Sequence, residues 1–341
     1  MRVFHHPDHR LHDPQEPHVF GGRALPPAEV AARADRLLLG LATLELKVVA
    51  PSLVDGAVLE RVHERRYLEF LATAHDRWRE ATGGPSTGEA VPYIRPLPGT
   101  PWREPEEVLP QLGRFSNDVD PLLAGTWSAA LASASCAAGA AEDVMAGARS
   151  AYGLTRPPGH HAGPETFGGY CYLNNGAVAA VTLLREAARV AVLDVDTHHG
   201  NGTQAIFWEE PRVLTVSIHG DPRYHYPYFL GFRGESGGRG APGGNANYPL
   251  PTGTTWDGYE EALQGALGMI GSFGAEALVV ALGVDTHRDH GVLGLEGDDF
   301  SRMGEAVASV GLPTVFVQEG GYAPDTLERC VPAVLSGFGL G

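Results

Sequence analysis

Cysteine is scarce in this 341-residue sequence: Cys136, Cys171 and Cys330 lie far apart and form no CxxC pair. A disulfide framework is therefore not expected, and the pattern suits a reducing cytoplasm. Apolar runs are short. None approaches the roughly 18 residues of a membrane span, so no membrane partner is expected. The opening Met1-Arg-Val-Phe-His-His lacks the apolar stretch of a secretory signal. Positive charge is also in short supply, with 25 Lys and Arg against 41 Asp and Glu and a formal net charge of −16. Such a surface repels nucleic acid and permits a small cationic ligand. What is there is ordinary for a folded soluble protein: 43% hydrophobic and 19% charged residues, on a chain long enough to bury a large core.

Short β-branched runs alternate with longer amphipathic stretches. The spacing predicts strands over 47–50, 150–154, 190–195, 213–218, 277–284 and 314–318. It predicts helices over 27–41, 57–73, 126–146, 175–186, 256–273, 300–310 and 324–336. Most strand runs are continuously apolar, as in strands buried on both faces. The expected fold is α/β, a mostly parallel multi-stranded sheet flanked by helices, in a single domain over residues 1–341. No internal repeat or linker divides the chain. Residues 81–115 and the glycine-rich stretch 231–255 read as loops. A loop insertion is expected around residues 81–125.

In an open α/β sheet the ligand site lies beyond the C-terminal ends of the strands. Reading just past the predicted strands gives Arg156-Pro-Pro-Gly-His160-His161, then Asp194-Val-Asp196-Thr-His198-His199-Gly-Asn201. His219-Gly-Asp221, Asp285 and Glu319-Gly-Gly-Tyr322 follow. Five strand ends carry ionisable residues. Asp196 and His198 are two apart in an extended segment and point the same way. Asp285 completes a set of three oxygen and nitrogen donors with a position left open, as a catalytic zinc site requires.

The motifs RPPGHHA (156–162), GGYCYLNN (168–175), DVDTHHGNGTQ (194–204), LGVDT (282–286) and EGGY (319–322) resemble the histone deacetylase superfamily, in the family's order. DHRLHD (8–13), HGDP (219–222), YPYFLGF (226–232) and NANYPL (245–250) resemble the acetylpolyamine amidohydrolase subgroup. The resemblance implies an arginase/deacetylase-like fold and Zn²⁺, with Fe²⁺ in some members, held by Asp196, His198 and Asp285. It implies hydrolysis of N-acetylated polyamines or related small acetylated amines. His161 is then the general base and acid, and His160 has an electrostatic role paired with Asp194. Asn201 orients His161 where many members carry an aspartate. Asp194 with Ser217 holds a structural K⁺ or Na⁺. Tyr322 donates a hydrogen bond to the oxyanion, and Gly320 and Gly321 bring it close to the metal. Tyr170 and Tyr226 wall the substrate tunnel. Glu16, Asp118 and Asp120 are candidates for the cation-binding rim. The insertion containing GRFSNDVDPLLAGTW implies a homodimer with a narrowed mouth.

Three residues carry no assigned chemistry. His199 is expected to pack, and His287 and His290 to be exposed loop histidines. His287 and Arg288 stand where the subgroup has an aromatic and an acidic residue, and positive charge there would oppose a polyamine. Three alternatives stand beside the main reading. A binuclear ureohydrolase of the arginase type needs further carboxylates where this chain has Gly200 and His287. A silent acetyl-ligand binder would lack the histidines or Tyr322. A lysine deacetylase acting on peptides would share every residue named.

Overall fold

The structure, a computed structural model, describes residues 1–20 and 22–339. Among the described residues, ten strands run in chain order as β1 (Arg2–Phe4), β2 (His18–Phe20), β3 (Arg23–Leu25), β4 (Lys47–Val49), β5 (Ser150–Gly153), β6 (Val190–Asp194), β7 (Val213–Gly220), β8 (Asn245–Leu250), β9 (Ala277–Leu282) and β10 (Thr314–Gln318). The helices are α1 (Ala32–Ala42), α2 (Gly56–Leu59), α3 (Arg65–Thr82), α4 (Val108–Arg114), α5 (Thr126–Met145), α6 (Asn175–Leu183), α7 (Asn201–Phe207), α8 (Trp256–Phe273), α9 (Asp299–Ala308) and α10 (Pro324–Phe338). Eight strands form one sheet in the order β4-β1-β5-β10-β9-β6-β7-β8. Every neighbouring pair in it is parallel. β2 and β3 form a separate antiparallel pair.

The central strands β6 and β9 are buried on both faces because they are apolar at nearly every position. In β6, Val190 and Val192 join one core with α3, α5 and α6, while Ala191 and Leu193 join the other with α1, α8, α9 and α10. Successive side chains of a strand point to opposite faces, so an uninterrupted apolar run feeds two cores at once. The small residues of α5 allow close approach; a side chain at Gly139 would press on the Phe4 ring. No described helix is long and apolar enough to cross a membrane.

Five features differ from the sequence expectation. The stretch 231–255 holds β8, which pairs with β7 from Thr215↔Asn245 to Gly220↔Leu250. NANYPL is polar and carries Pro249, which only a sheet edge accommodates. The predicted helix over 57–73 is two helices, α2 and α3, separated at 60–64, where the Glu64 N–H donates to Pro164 O at 2.8 Å. α4 lies inside the stretch read as loop, and α7 begins at Asn201, inside the site motif itself. β1 has three residues, too few for a periodic signal.

Candidate metal and catalytic site

β6 ends at Asp194, and the chain leaves the sheet carrying Asp196 and His198. Asp285 follows β9 by three residues, Glu319 directly follows β10, and His160 and His161 come after β5. Asp196, His198 and Asp285 each offer a ligand atom within 4.8 Å of the others. Backbone amides fix both carboxylates. Asp196 Oδ2 accepts from the Gly320 N–H at 2.7 Å, and Asp285 Oδ1 accepts from the Thr197 N–H at 2.9 Å. His198 Nδ1 lies 3.1 Å from Asp196 Oδ1 and 3.2 Å from Asp285 Oδ2.

The donor set fits a divalent cation. Asp285 Oδ2 is buried and makes no well-formed hydrogen bond, its one close polar neighbour being His198 Nδ1 at 3.2 Å, a costly state for a carboxylate oxygen unless a cation meets it. Gly320 explains why the carboxylates can converge: a Cβ there would collide with both Asp196 and Asp285. Burial works against charge on His198, but Asp196 and Asp285 more than offset it and hold its pKa up at about 10. Burial likewise opposes ionisation of Asp196, yet His160 and His198 depress its pKa below the usual carboxylate range.

The two adjacent histidines are differentiated by their partners. The His160 Nδ1–H donates to Asp194 Oδ2 at 2.9 Å. Burial lowers its pKa, but Asp194, with help from Asp196 and Glu319, raises it to about 10, so His160 is a cation at neutral pH. The His161 Nδ1–H donates to Asn201 Oδ1 at 2.7 Å. Burial, then the charges of His160 and His198, hold His161 well below its ordinary pKa. It is therefore neutral, with Nε2 as a free base. The ring centroids lie 3.9 Å apart, with the planes tilted by 40°. Asp194 and Ser217 are register partners in the sheet, and Ser217 Oγ lies 2.7 Å from His219 Nδ1. His199 packs as expected, buried, with Nε2 3.0 Å from Gln204 Oε1.

Tyr322 is held by a network that no motif announced. The Arg33 guanidinium lies 4.7 Å from the centre of its ring and donates to Gly321 O and Glu319 O, each at 2.7 Å. Glu29 Oε1 bridges Arg33 at 2.7 Å and Arg156 at 2.9 Å. All three side chains are buried. Burial pushes the Tyr322 phenol well above its ordinary pKa, so it remains a donor. Sequence reasoning also missed Glu319 as a structural carboxylate. Its Oε2 accepts the Gly159 and His160 N–H groups at 2.7 and 3.1 Å.

Aromatic residues surround the approach. Tyr226 meets His161 edge-on at 4.9 Å, and Tyr170 meets Tyr322 edge-on at 5.6 Å. Tyr170 has φ 67°, a conformation a tyrosine adopts only when its surroundings impose it. Asp120 imposes it, accepting the Tyr170 N–H at 2.9 Å. Asp120 therefore does not belong to the rim. It is 1% exposed, and burial, then the Asp118 charge, push its pKa up to about 8. Asp118 is partly buried, and its charge adds to burial in raising the Tyr226 phenol above its ordinary pKa. Glu16 is exposed, with its N–H donating to Glu89 Oε1 at 3.2 Å. His287 is not the exposed loop histidine expected. It is buried, accepts the Asp289 N–H at 3.3 Å and stacks on Phe300. Arg288 points outward and pairs with Glu296. His290 is partly buried, its ring edge-on to Tyr322 at 6.3 Å.

Fold and donor set together define a metal-dependent hydrolase. The histone deacetylase domain family matches residues 28–338. Acetylpolyamine amidohydrolase 1 of Pseudomonas aeruginosa is 44% identical over 340 residues, covering 97% of this chain and 96% of that protein. The acetylpolyamine amidohydrolase of Mycoplana ramosa is 42% identical over 342 residues, covering 99% of each. The crystal structure of acetylpolyamine aminohydrolase from Burkholderia pseudomallei superposes with a TM-score of 0.93 at 40% identity, covering 100% of this chain and 99% of that one. The chain belongs to the histone deacetylase family and is an enzyme of its deacetylase class.

Proposed function

We propose that the enzyme hydrolyses the acetamide of N-acetylated polyamines or related small acetylated amines, releasing acetate and the free amine. The observation that carries this reading is the convergence of Asp196, His198 and Asp285 beside a neutral imidazole and a protonated phenol. Full-length similarity to proteins named acetylpolyamine amidohydrolases supports the substrate class.

The three donors would hold Zn²⁺, or Fe²⁺ in its place. When bound, such an ion polarises the acetyl carbonyl and acidifies water. The chain's own residues do the rest. His161 Nε2 takes a proton from the attacking water and returns it to the leaving amine; its Nδ1–H, committed to Asn201, keeps the ring in that tautomer. The Tyr322 hydroxyl donates to the developing oxyanion, and cationic His160, balanced by Asp194, stabilises the same negative charge. Asp194 with Ser217 would also hold K⁺ or Na⁺. Tyr170 and Tyr226 flank the aminoalkyl stem and offer ring faces to an ammonium. Asp118 and Glu16 remain the carboxylates proposed for the distal cation.

The proposed assembly is a homodimer and the proposed compartment the cytoplasm. Tyr93, Ile94, Leu97 and Trp102 in the insertion are exposed apolar side chains, and a second copy would cover such residues. The test of substrate class is a rate comparison of N-acetylputrescine, N-acetylcadaverine, acetylspermidine and an acetyl-lysine peptide. The proposal expects the small amines to be faster, and faster peptide turnover overturns it.

A further inference from the structure

A second group of metal donors lies beside the first. His160, Cys171 and Glu319 are all buried, and each brings a possible ligand atom within 4.8 Å of the others. Two independent observations separate this group from ordinary core packing. Glu319 is completely buried, and although its Oε2 accepts two backbone N–H groups, its Oε1 has no hydrogen-bond partner. Cys171 is a free thiol whose hydrogen bond is to Gly169 O at 3.3 Å. A thiol sulfur, an imidazole nitrogen and a carboxylate oxygen are the three donor types that zinc takes, and a thiolate favours a borderline cation over Mg²⁺ or Ca²⁺.

The geometry points to a second, weaker site for a borderline divalent cation of the Zn²⁺ type at His160, Cys171 and Glu319, whose occupation inhibits the enzyme. On binding, the Cys171 S–H bond and one His160 N–H bond break, both protons go to solvent, and a sulfur–metal and a nitrogen–metal bond form, with no change of oxidation state. The thiol must give up its proton inside a buried site, so this site fills after the set at Asp196, His198 and Asp285. Burial, followed by the neighbouring charge of Glu319, holds the thiol proton on until a cation displaces it.

Inhibition follows from His160. Its Nδ1 is committed to Asp194 at 2.9 Å, and its Nε2 faces the carboxylate of Asp196 at 3.9 Å. A cation on Nδ1 breaks the pairing with Asp194. A cation on Nε2 stands where the imidazolium would act on the substrate. Either way the positive charge of His160 is lost to catalysis. The binding is independent of the deacetylase reading; only the inhibition rests on it.

The experiment starts from full-length protein loaded with one equivalent of zinc and adds excess Co²⁺. The absorption spectrum and the rate of N-acetylputrescine hydrolysis are followed together. A thiolate-to-cobalt charge-transfer band should grow in the near ultraviolet as turnover falls. Cobalt exchanging into the oxygen and nitrogen donors of the first site produces no such band. Cys171→Ser should abolish the band, Cys136→Ser and Cys330→Ser should keep it, and Glu319→Gln should weaken cobalt binding by about tenfold or more. No thiolate band in the wild type, or an undiminished band in Cys171→Ser, overturns the site. A band that grows without loss of turnover overturns the inhibition. If N-acetylputrescine is not a substrate, the band still reads the binding, so failure of the substrate assignment is seen separately.

Discussion

Asn201→Asp should move the acid limb of the pH profile toward neutrality. The exchange keeps the shape of the side chain and places a negative charge where the amide oxygen now lies, 2.7 Å from His161 Nδ1. In the native protein burial and the charges of His160 and His198 hold His161 well below its ordinary pKa. An opposite charge within hydrogen-bonding distance raises a pKa by about 1–3 units, each worth about 1.4 kcal/mol. His161 acts as a base only when neutral, so kcat/KM falls as pH drops through its pKa. Raising that pKa shifts the fall upward by about 1–3 pH units. The assay is kcat/KM of the zinc-loaded variant for N-acetylputrescine from acid to mildly alkaline pH. Asn201→Ala is the control, expected to lower kcat through loss of orientation without an upward shift. An acid limb that stays in place in Asn201→Asp refutes His161 as the base.

Other outcomes follow from the same geometry. Tyr322→Phe should lower kcat by about 10²–10³-fold, as loss of an oxyanion donor does, with bound zinc unchanged by elemental analysis. Gly320→Ala sets a methyl against both Asp196 and Asp285 and should weaken zinc binding by about 10–100-fold in a chelator competition. Glu29→Gln leaves two buried guanidiniums, Arg33 and Arg156, without their shared carboxylate; urea unfolding should show a loss of about 3–5 kcal/mol. Four buried histidines away from the metal donors have depressed pKa values: His9 at about 3, His63 and His219 at about 4, and His12 well below 6.5. Burial is the main cause for each. The unfolded chain binds their protons first, so stability should be full above about pH 6.5 and fall as pH drops toward the folded values. Thermal unfolding between neutral pH and pH 4 checks this.

Much of the sheet was legible because its strands are buried on both faces. The apolar run at 190–195 reads as a strand whatever lies beside it, and its end locates Asp194 and Asp196. β8 was not legible, since Asn245 and Asn247 face polar neighbours such as Thr215 and Gln204 and Pro249 marks an edge. α4 was hidden among prolines, with one, Pro110, inside the helix itself. In the site, the metal donors could be read because two share one strand end and the third follows another strand. The buried Glu29–Arg33–Arg156 bridge could not, because Glu29 and Arg156 are 127 residues apart and only the topology joins them. The charge of Asp120 and its place in the insertion suggest the rim. Its burial depends on the Tyr170 backbone folding over it, which no local pattern announces.

The most direct test is to strip the purified enzyme with a chelator and restore zinc stepwise while following N-acetylputrescine hydrolysis. Turnover should vanish on stripping and return fully with one zinc per chain, but not in Asp285→Asn. Undiminished hydrolysis by the stripped protein, or recovery only at two ions per chain, would contradict a single ion held by Asp196, His198 and Asp285.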